Sequence, residues 1–562
     1  MILKALRDKL RSRRDQPKGA SERSPETYEH ADAQHSLGVA LRNAGRTDEA
    51  LAAFQRAIDL RADHAAALTQ QGELLAELGR SEDAADSFTL ALAFDSALVA
   101  AWVGYAKLMR ACGRVAQAIE HLERAVTLAP ASSEAWVELG LGLNQAGRTA
   151  DAGAAYQKAI EAEPDRPAAY VNLGLLYLAQ LGDAPRAETL FRRAIELAPD
   201  RVEAQANLGL ALHEQKRSDE AIEHYDRLVD AHPHCAEYRW HRAGVRLALG
   251  DFERGWDDYE ARKARVGRWR TPLPFPEWDG NALHGGALLI YAEQGIGDEI
   301  MFASCVPDAL RAVEHCVVEC DPRLAQLYRR SFPDAVVHGV DRRSDDSSWL
   351  AEHPALGAQC AVGSLPRYFR RSRTSFGNRA PYLVPEPERV ERWRQRIVCE
   401  PGVINVGIAW RSGTLKTRRE LRSTALGDWG PVLATAGARF FALQAASREE
   451  LQSAKIRAGA EVQDLGAVDR DIDELAAAVS ALDLVITVQG SVAHVAGAIG
   501  RPVWIVLNHS AEWRYLREGE HMPWYPTARL FRQPEPRAWN ALFSNIANVL
   551  PEFVPERARG GV

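Results

Sequence analysis

No stretch of about 18 uninterrupted apolar residues occurs in the chain, and its first residues lack the apolar segment of a secretory signal. Neither a membrane span nor an export leader is expected, and the reading that follows is a cytoplasmic protein. Cysteine is sparse: seven residues, at 112, 235, 305, 316, 320, 360 and 399, odd in number and without a CxxC pair. That usage excludes a disulfide framework and a cysteine zinc site. Cys316 and Cys320, in the probable strand CVVEC, are most simply core residues. Excess positive charge is also missing, because the formal net charge is -7. Residues 1–24 carry eight Lys/Arg against three Asp/Glu, which leaves the remainder more acidic still. A nucleic-acid-binding body is therefore not expected. The basic tail MILKALRDKLRSRR reads either as a solvated arm or as a short amphipathic helix making peripheral contact with an anionic membrane.

What is present is ordinary globular composition, 46% hydrophobic and 26% charged, over 562 residues. That length exceeds a single core, so two or three domains are expected.

From residue 28 the chain repeats itself. The dipeptides at 37–38, 71–72, 105–106, 139–140, 173–174, 208–209 and 242–243 recur every 34 or 35 residues. Small residues follow at Ala50, Ala84, Ala118, Ala152, Ala187, Ala221 and Gly255. Four residues after each stands a large one: Phe54, Phe88, Leu122, Tyr156, Phe191, Tyr225 and Tyr259. Small residues where two helices cross, with prolines closing four of the units, resemble about seven tetratricopeptide repeats over residues 28–264. Each helix pair cannot bury its apolar face alone, so the units stack into a superhelix whose groove takes a protein or peptide. The other reading is that the array only dimerises the chain or supports the second half. The last repeat, with Gly255 and Trp256, has the look of a unit packed against something other than a further repeat. A proline- and tryptophan-rich linker, 265–280, then ends the array.

The second half alternates strand and helix, as ALLIYAEQ (287–294), CVVECD, AVVHGV, then VINVGIAW (403–410), RFFALQ (439–444) and the helix DELAAAVSAL (473–482). Two blocks of this kind, 281–385 and 386–562, predict two doubly wound α/β domains facing each other across a cleft. The late helix in PRAWNALFSNIANVLPEF is placed across the first block as a brace. Within the second block, LDLVITVQGSVAHVAGAIGRPVWIVL (482–507) reads as strand, glycine turn, helix and strand. The loop leaving the first strand of such a unit lies at the carboxyl edge of the sheet, where the next helix offers free N–H groups to an anion. Gln489, Gly490, Ser491 and His494 are the candidates there, with His494 a donor to a phosphate. Equally, Gly490 only makes the turn, Ser491 caps the helix and His494 packs. The loop WRSGTLKTRRELRST supplies Arg411, Ser412, Lys416 and Arg422 as partners for a diphosphate, since arginine forks suit phosphate oxygens. In the first block Glu293, Gln294, Gly295 and Gly297 form a turn that places Asp298 in the first turn of a helix. A carboxylate there is stabilised by the helix dipole and able to accept a proton, or else serves as a cap. Asp471-Ile472-Asp473 precedes a helix and is read as its N-cap, not as a metal site.

The blocks EQGIGDEIMFAS, GIAWRSG, LRS, FFALQ, LDLVITVQGSVAHVAGAIGRPVW, EWRY and PWYPTARLFRQ, in that order after the repeats, resemble bacterial repeat-bearing proteins related to the family 9 glycosyltransferases, the heptosyltransferases. The resemblance implies a GT-B fold with acceptor contacts in the first half and a nucleotide-sugar donor in the second. It also implies inverting transfer without cofactor or metal. Asp298 matches the family's catalytic base, and Gly490, Ser491 and His494 match its pyrophosphate-binding helix start. One departure stands out: the family commonly reads Val-Asp-Thr where this chain has Val488-Gln489-Gly490, so a carboxylate is missing from the donor turn. A glycosyltransferase whose repeats dock a protein or glycan acceptor is the first expectation. An inactive scaffold or a nucleotide-sugar sensor is the alternative.

Overall fold

The computed structural model describes residues 25–265, 273–283, 285–341, 348–353, 356–377, 380–413 and 419–555. Most of the tail 1–27, part of the linker, and Lys416 lie outside the described residues. The chain divides into two compact units, Met1–Leu173 and Gly174–Val562.

The first unit holds four helix pairs: Pro25–Asn43 with Thr47–Leu60, Ala65–Glu77 with Ser81–Phe94, Val99–Ala111 with Val115–Leu128, and Ser133–Gln145 with Thr149–Ala162. The turn inside each pair needs a left-handed residue, and Gly45, Gly79, Gly113 and Gly147 supply it at φ between 75° and 78°. The small residues at the helix crossings act through space instead. A Cβ on Gly140 would fall 2.4 Å from the Tyr156 ring, and one on Gly38 would fall 2.5 Å from Phe54. Gly140→Ala is therefore expected to destabilise the first unit by about 1–3 kcal/mol, through overpacking, in a chemical melt. Ion pairs link first helices of successive pairs: Arg42 with Glu73 at 2.7 Å, and Arg110 with Glu138 at 2.8 Å.

In the second unit the repeats continue with Ala184–Leu197, Val202–Glu214 with Ser218–Ala231, and Ala236–Leu249 with Phe252–Tyr259. The one 35-residue spacing has a local cause: Tyr177–Leu181 is a π-helical turn, closed by Gly182 at φ 69°. A π turn takes up one extra residue without breaking the helix. The last pair is not exposed at its end. Phe252, Trp256 and Tyr259, each at most 4% accessible, enter the same core as the two sheets that follow, and the Trp256 indole donates to the carbonyl of Arg370 at 2.9 Å.

Two sheets follow. β1 (Ala287–Tyr291), β2 (His315–Cys320), β3 (Ala335–Gly339) and β4 (Leu356–Ala361) form a parallel sheet in the order β3-β2-β1-β4. The second sheet uses β5 (Ile404–Ala409), β6 (Ala438–Ala442), β7 (Val462–Asp464), β8 (Leu484–Val488), β9 (Val503–Leu507), β10 (His521–Met522) and β11 (Tyr525–Arg532). Its order is β10-β11-β9-β8-β5-β6-β7, parallel except for the β10–β11 edge. The strands at the heart of the second sheet, β8 and β9, are buried along their whole length, as continuous apolar runs covered on both faces must be. In each sheet the order reverses once, between β1 and β4 and between β5 and β8. One apolar core, containing Cys316 and Cys320, joins the last repeat, the first sheet and one face of the second. The late helix, Trp539–Val549, does not brace the first block. Its apolar face, Leu542, Phe543 and Ile546, packs with Trp429 in the core on the other face of the second sheet. The short connection from β11 keeps it beside the strand it follows.

Candidate functional site at the two strand-order reversals

In an open α/β sheet the loops leaving the two strands on either side of a reversal diverge, and the crevice between them is where ligands bind. Both turns singled out from the sequence lie at such points. β1 leads through Ala292–Gly295 into the helix Ile296–Ala303, and β8 leads through Gln489-Gly490 into the helix Ser491–Ala498. The two helix starts meet. A Cβ on Gly297 would lie 3.0 Å from the His494 ring and 3.7 Å from the Ser491 Cα, so a larger residue there would press on the His494 ring.

Asp298 is the third residue of its helix, with Gly295 at the N-cap, so its carboxylate is not the cap. It is ion-paired with Arg514, which also contacts Glu512. Glu512 in turn pairs with Arg422 at 2.7 Å, and Arg422 reaches the Gln489 carbonyl at 3.4 Å. Two arginines and two carboxylates thus alternate across the junction of the two helices. Burial opposes the charge on Arg514, yet Asp298 together with Tyr515 and Tyr259 outweighs it and holds the guanidinium above its usual value. Arg514 and Glu512 belong to the EWRY block. Nothing in their local pattern marked them as site residues.

Gly490 is extended at φ -179°, so it is not glycine for its backbone angle; a Cβ there would fall 2.4 Å from Ser412 Oγ. Ser491 does not cap the helix: Gly490 holds the cap position and has no side chain to offer the first N–H groups. Gln489 is 1% accessible; its amide nitrogen donates to Asn508 at 2.5 Å, while its Oε1 is buried without a hydrogen-bond partner. Ser412 donates its N–H to Ser423 Oγ, which donates back to the Ser412 carbonyl, each at 2.9 Å. Arg411 points elsewhere, held by Glu450 and the Ala445 carbonyl.

His494 departs from the donor role its position suggested. It is buried, and burial first, then Arg514 and Arg422, push its pKa well below the usual imidazole value. Its Nδ1 lies 3.0 Å from the Tyr525 hydroxyl. Tyr525 bonds Tyr382, whose hydroxyl donates to the Ile300 carbonyl at 2.7 Å. Each hydroxyl in that chain donates toward Ile300, which assigns the proton of His494 to Nδ1 and leaves Nε2 an acceptor. A neutral imidazole so oriented braces the two halves and cannot donate to a phosphate from Nε2.

Two of the residues placed on the acceptor side face the last repeat instead. Glu293 accepts from Arg262 Nε at 3.0 Å and from the Gly363 N–H at 3.1 Å, and Gln294 Oε1 accepts from the Tyr259 hydroxyl at 2.9 Å. Arg262 also donates to Ser364 Oγ at 2.8 Å, and Ser364 donates to Glu260 at 2.7 Å. Glu260 is half-buried, which alone would raise its pKa, but Arg262 and Lys263 bring it down to about 2. A depressed carboxylate stabilises the fold at every pH above its unfolded value and loses that contribution as pH falls toward the folded one. Acid melts should therefore lose roughly 3 kcal/mol between about pH 4.5 and 2 through this group. In Glu260→Gln that part of the acid limb should flatten.

Asp471 caps the helix Ile472–Ser480, accepting from the N–H groups of Asp473 and Glu474. Among the described residues no cluster of three His, Cys, Asp or Glu could hold a metal, and no helix is long and apolar enough to cross a membrane.

Residues 29–98, 145–180, 172–234 and 217–264 match one tetratricopeptide-repeat family model, and residues 99–142 match another. Protein FlbA of Caulobacter vibrioides is 32% identical over 327 residues, covering 56% of this chain. The chain spans about half, 54%, of that protein's length. The first 280 residues are half of this chain, so a match of that extent reaches into the α/β region. Among solved structures, Pseudomonas aeruginosa PilF is 20% identical and covers 39% of this chain and 99% of its own, with a TM-score of 0.35. YrrB, described as a TPR protein with an unusual peptide-binding site, is 23% identical over 34% of this chain and 94% of its own, at 0.26. The first half of the chain, through residue 264, is thus an array of tetratricopeptide repeats, a scaffold suited to binding a protein or peptide.

Proposed function

We propose that the α/β half is a GT-B glycosyltransferase module that moves a sugar from a nucleotide-sugar to a protein or glycan acceptor docked by the repeats. The observation that carries this reading is the meeting of the two helix starts at Gly297 and Ser491, each at a strand-order reversal. A nucleoside diphosphate set against the uncapped Ser491 helix start would be met by Arg422 and Arg514 from the same half. Asp298 would approach the acceptor hydroxyl from the other half. In the transfer, the acceptor oxygen gives up its proton to Asp298 and forms the bond to the anomeric carbon. The bond to the diphosphate breaks, with its electron pair leaving on the phosphate oxygen. The two arginines then stabilise a charge that develops only as the bond breaks, which is where stabilisation raises the rate. The protein's own cations fill the place of a metal in this scheme.

A second reading is favoured by two features of the site. Gln489 cannot carry the charge of the acid it replaces, and Asp298 is held by Arg514. On this reading the module binds a nucleotide-sugar without turning it over and reports occupancy to a partner in the repeats.

A thermal-shift panel of UDP, GDP, ADP, CMP and dTDP with their common sugars tests both. A ligand at about a hundred times its dissociation constant adds roughly 2.7 kcal/mol of stability. Stabilisation by one nucleotide, lost in Arg422→Ala, supports a donor site. Release of free nucleotide from its sugar on adding cell extract then separates transfer from sensing. No stabilisation by any member would remove both nucleotide readings and leave the repeats as the functional part.

A further inference from the structure

We propose that Arg514 exchanges partners: it holds Asp298 while the site is empty and turns to the donor's phosphates when a nucleoside diphosphate enters, releasing the carboxylate. This rests on the nucleotide-binding reading above.

Four charges make the case. Asp298 comes from the first sheet's side, and Arg514, Glu512 and Arg422 come from the second. Each arginine is paired with a carboxylate, Arg514 with Asp298 and Glu512 and Arg422 with Glu512, so a diphosphate competes with those carboxylates for them. Glu512 lies between both arginines, in the position an anionic ligand bridging them would take. Arg514 and Arg422 have side chains only 11% accessible, so their charges are poorly screened by solvent. The loops around them present donors still to be used. The Ser491 helix start has no side-chain cap, and the Tyr515 hydroxyl is buried without a hydrogen-bond partner next to Arg514. Arg514 is also anchored from behind. Trp513 stacks on Phe302 and packs edge-on against Trp256 of the last repeat, and the Arg517 N–H donates to the Ala248 carbonyl at 2.7 Å. With the backbone held in this way, the exchange falls to the Arg514 side chain, which turns from Asp298 to a phosphate oxygen.

The exchange orders the reaction. Asp298 meets an acceptor hydroxyl only after the donor is in place, which prevents an acceptor from occupying the base unproductively.

The sign of the mutational effects separates this role from a structural one. Removing a competitor for Arg514 must tighten nucleotide binding, whereas loss of a structural ion pair would leave it unchanged or weaken it. UDP, GDP and ADP are titrated into the full-length chain and its variants by calorimetry at low ionic strength, after each variant's melt without ligand has confirmed folding. Asp298→Asn and Glu512→Gln should each bind the preferred nucleotide about three- to tenfold more tightly than the unaltered chain, and Arg514→Gln about tenfold or more weakly. If Arg514→Gln does not fold, the two carboxylate variants decide alone. Unchanged or weaker binding in Asp298→Asn, with the unaltered chain still binding, overturns the exchange and leaves the donor site standing. Absence of binding in every variant and in the unaltered chain overturns the site itself.

Discussion

Arg262→Ala is expected to cost about 3–5 kcal/mol and to melt the last repeat and the α/β half together. The side chain is buried, and burial alone would lower its pKa, but Glu293 and Glu260 hold it well above the usual arginine value. Truncation leaves the Glu293 carboxylate, 5% accessible, with only the Gly363 N–H beside it. An uncompensated buried charge costs more than the pair was worth, so Arg262→Met combined with Glu293→Leu should recover much of the loss. The same packing predicts that a chain beginning at residue 281 will not fold, whereas one retaining the last two repeats will. Phe252, Trp256 and Tyr259 fill the core that joins the two sheets, and a chain beginning at 281 would leave that space empty. Circular dichroism and a single cooperative melt would check this. An independently folded 281–555 would show that the last repeat is an appendage.

The second large effect is on turnover. Asp298→Asn should lower transfer by about 10²–10⁴-fold, the range set by loss of a positioned general base. The amide is isosteric and keeps its place at the start of the Ile296–Ala303 helix, so the fold should persist. Nucleotide binding should persist as well, tightened by the loss of a competitor for Arg514. Retained turnover would remove Asp298 as the base and turn attention to the acceptor side of the His494 ring.

Much of this architecture was legible because it follows from period. A 34-residue repeat with small residues at fixed places can bury its faces in few ways, and strands alternating with helices leave a parallel sheet as the economical answer. The turns at Gly297 and Gly490 were legible for the same reason, since a glycine between an apolar strand and a helix marks a sheet's carboxyl edge. What periodicity does not carry is which side chain faces which partner across hundreds of residues. Arg514 was invisible as the partner of Asp298 because 216 positions separate them. Glu293 looked like a site carboxylate only because Arg262, from the last repeat, could not be placed against it. His494 looked like a phosphate donor until Tyr525 and Tyr382 fixed its tautomer. Arg411 belonged by sequence to a cationic loop, and Glu450 draws it away.

The junction of the two helix starts is proposed as a nucleoside diphosphate site. A crystal structure of the full-length chain soaked with the nucleotide that gives the largest thermal shift tests it most directly. The account predicts phosphate density against the N–H groups of Ser491 and Val492, contacted by Arg422 and Arg514, with Arg514 parted from Asp298. Nucleotide bound elsewhere, with the Asp298–Arg514 pair intact and the helix start unoccupied, would contradict it.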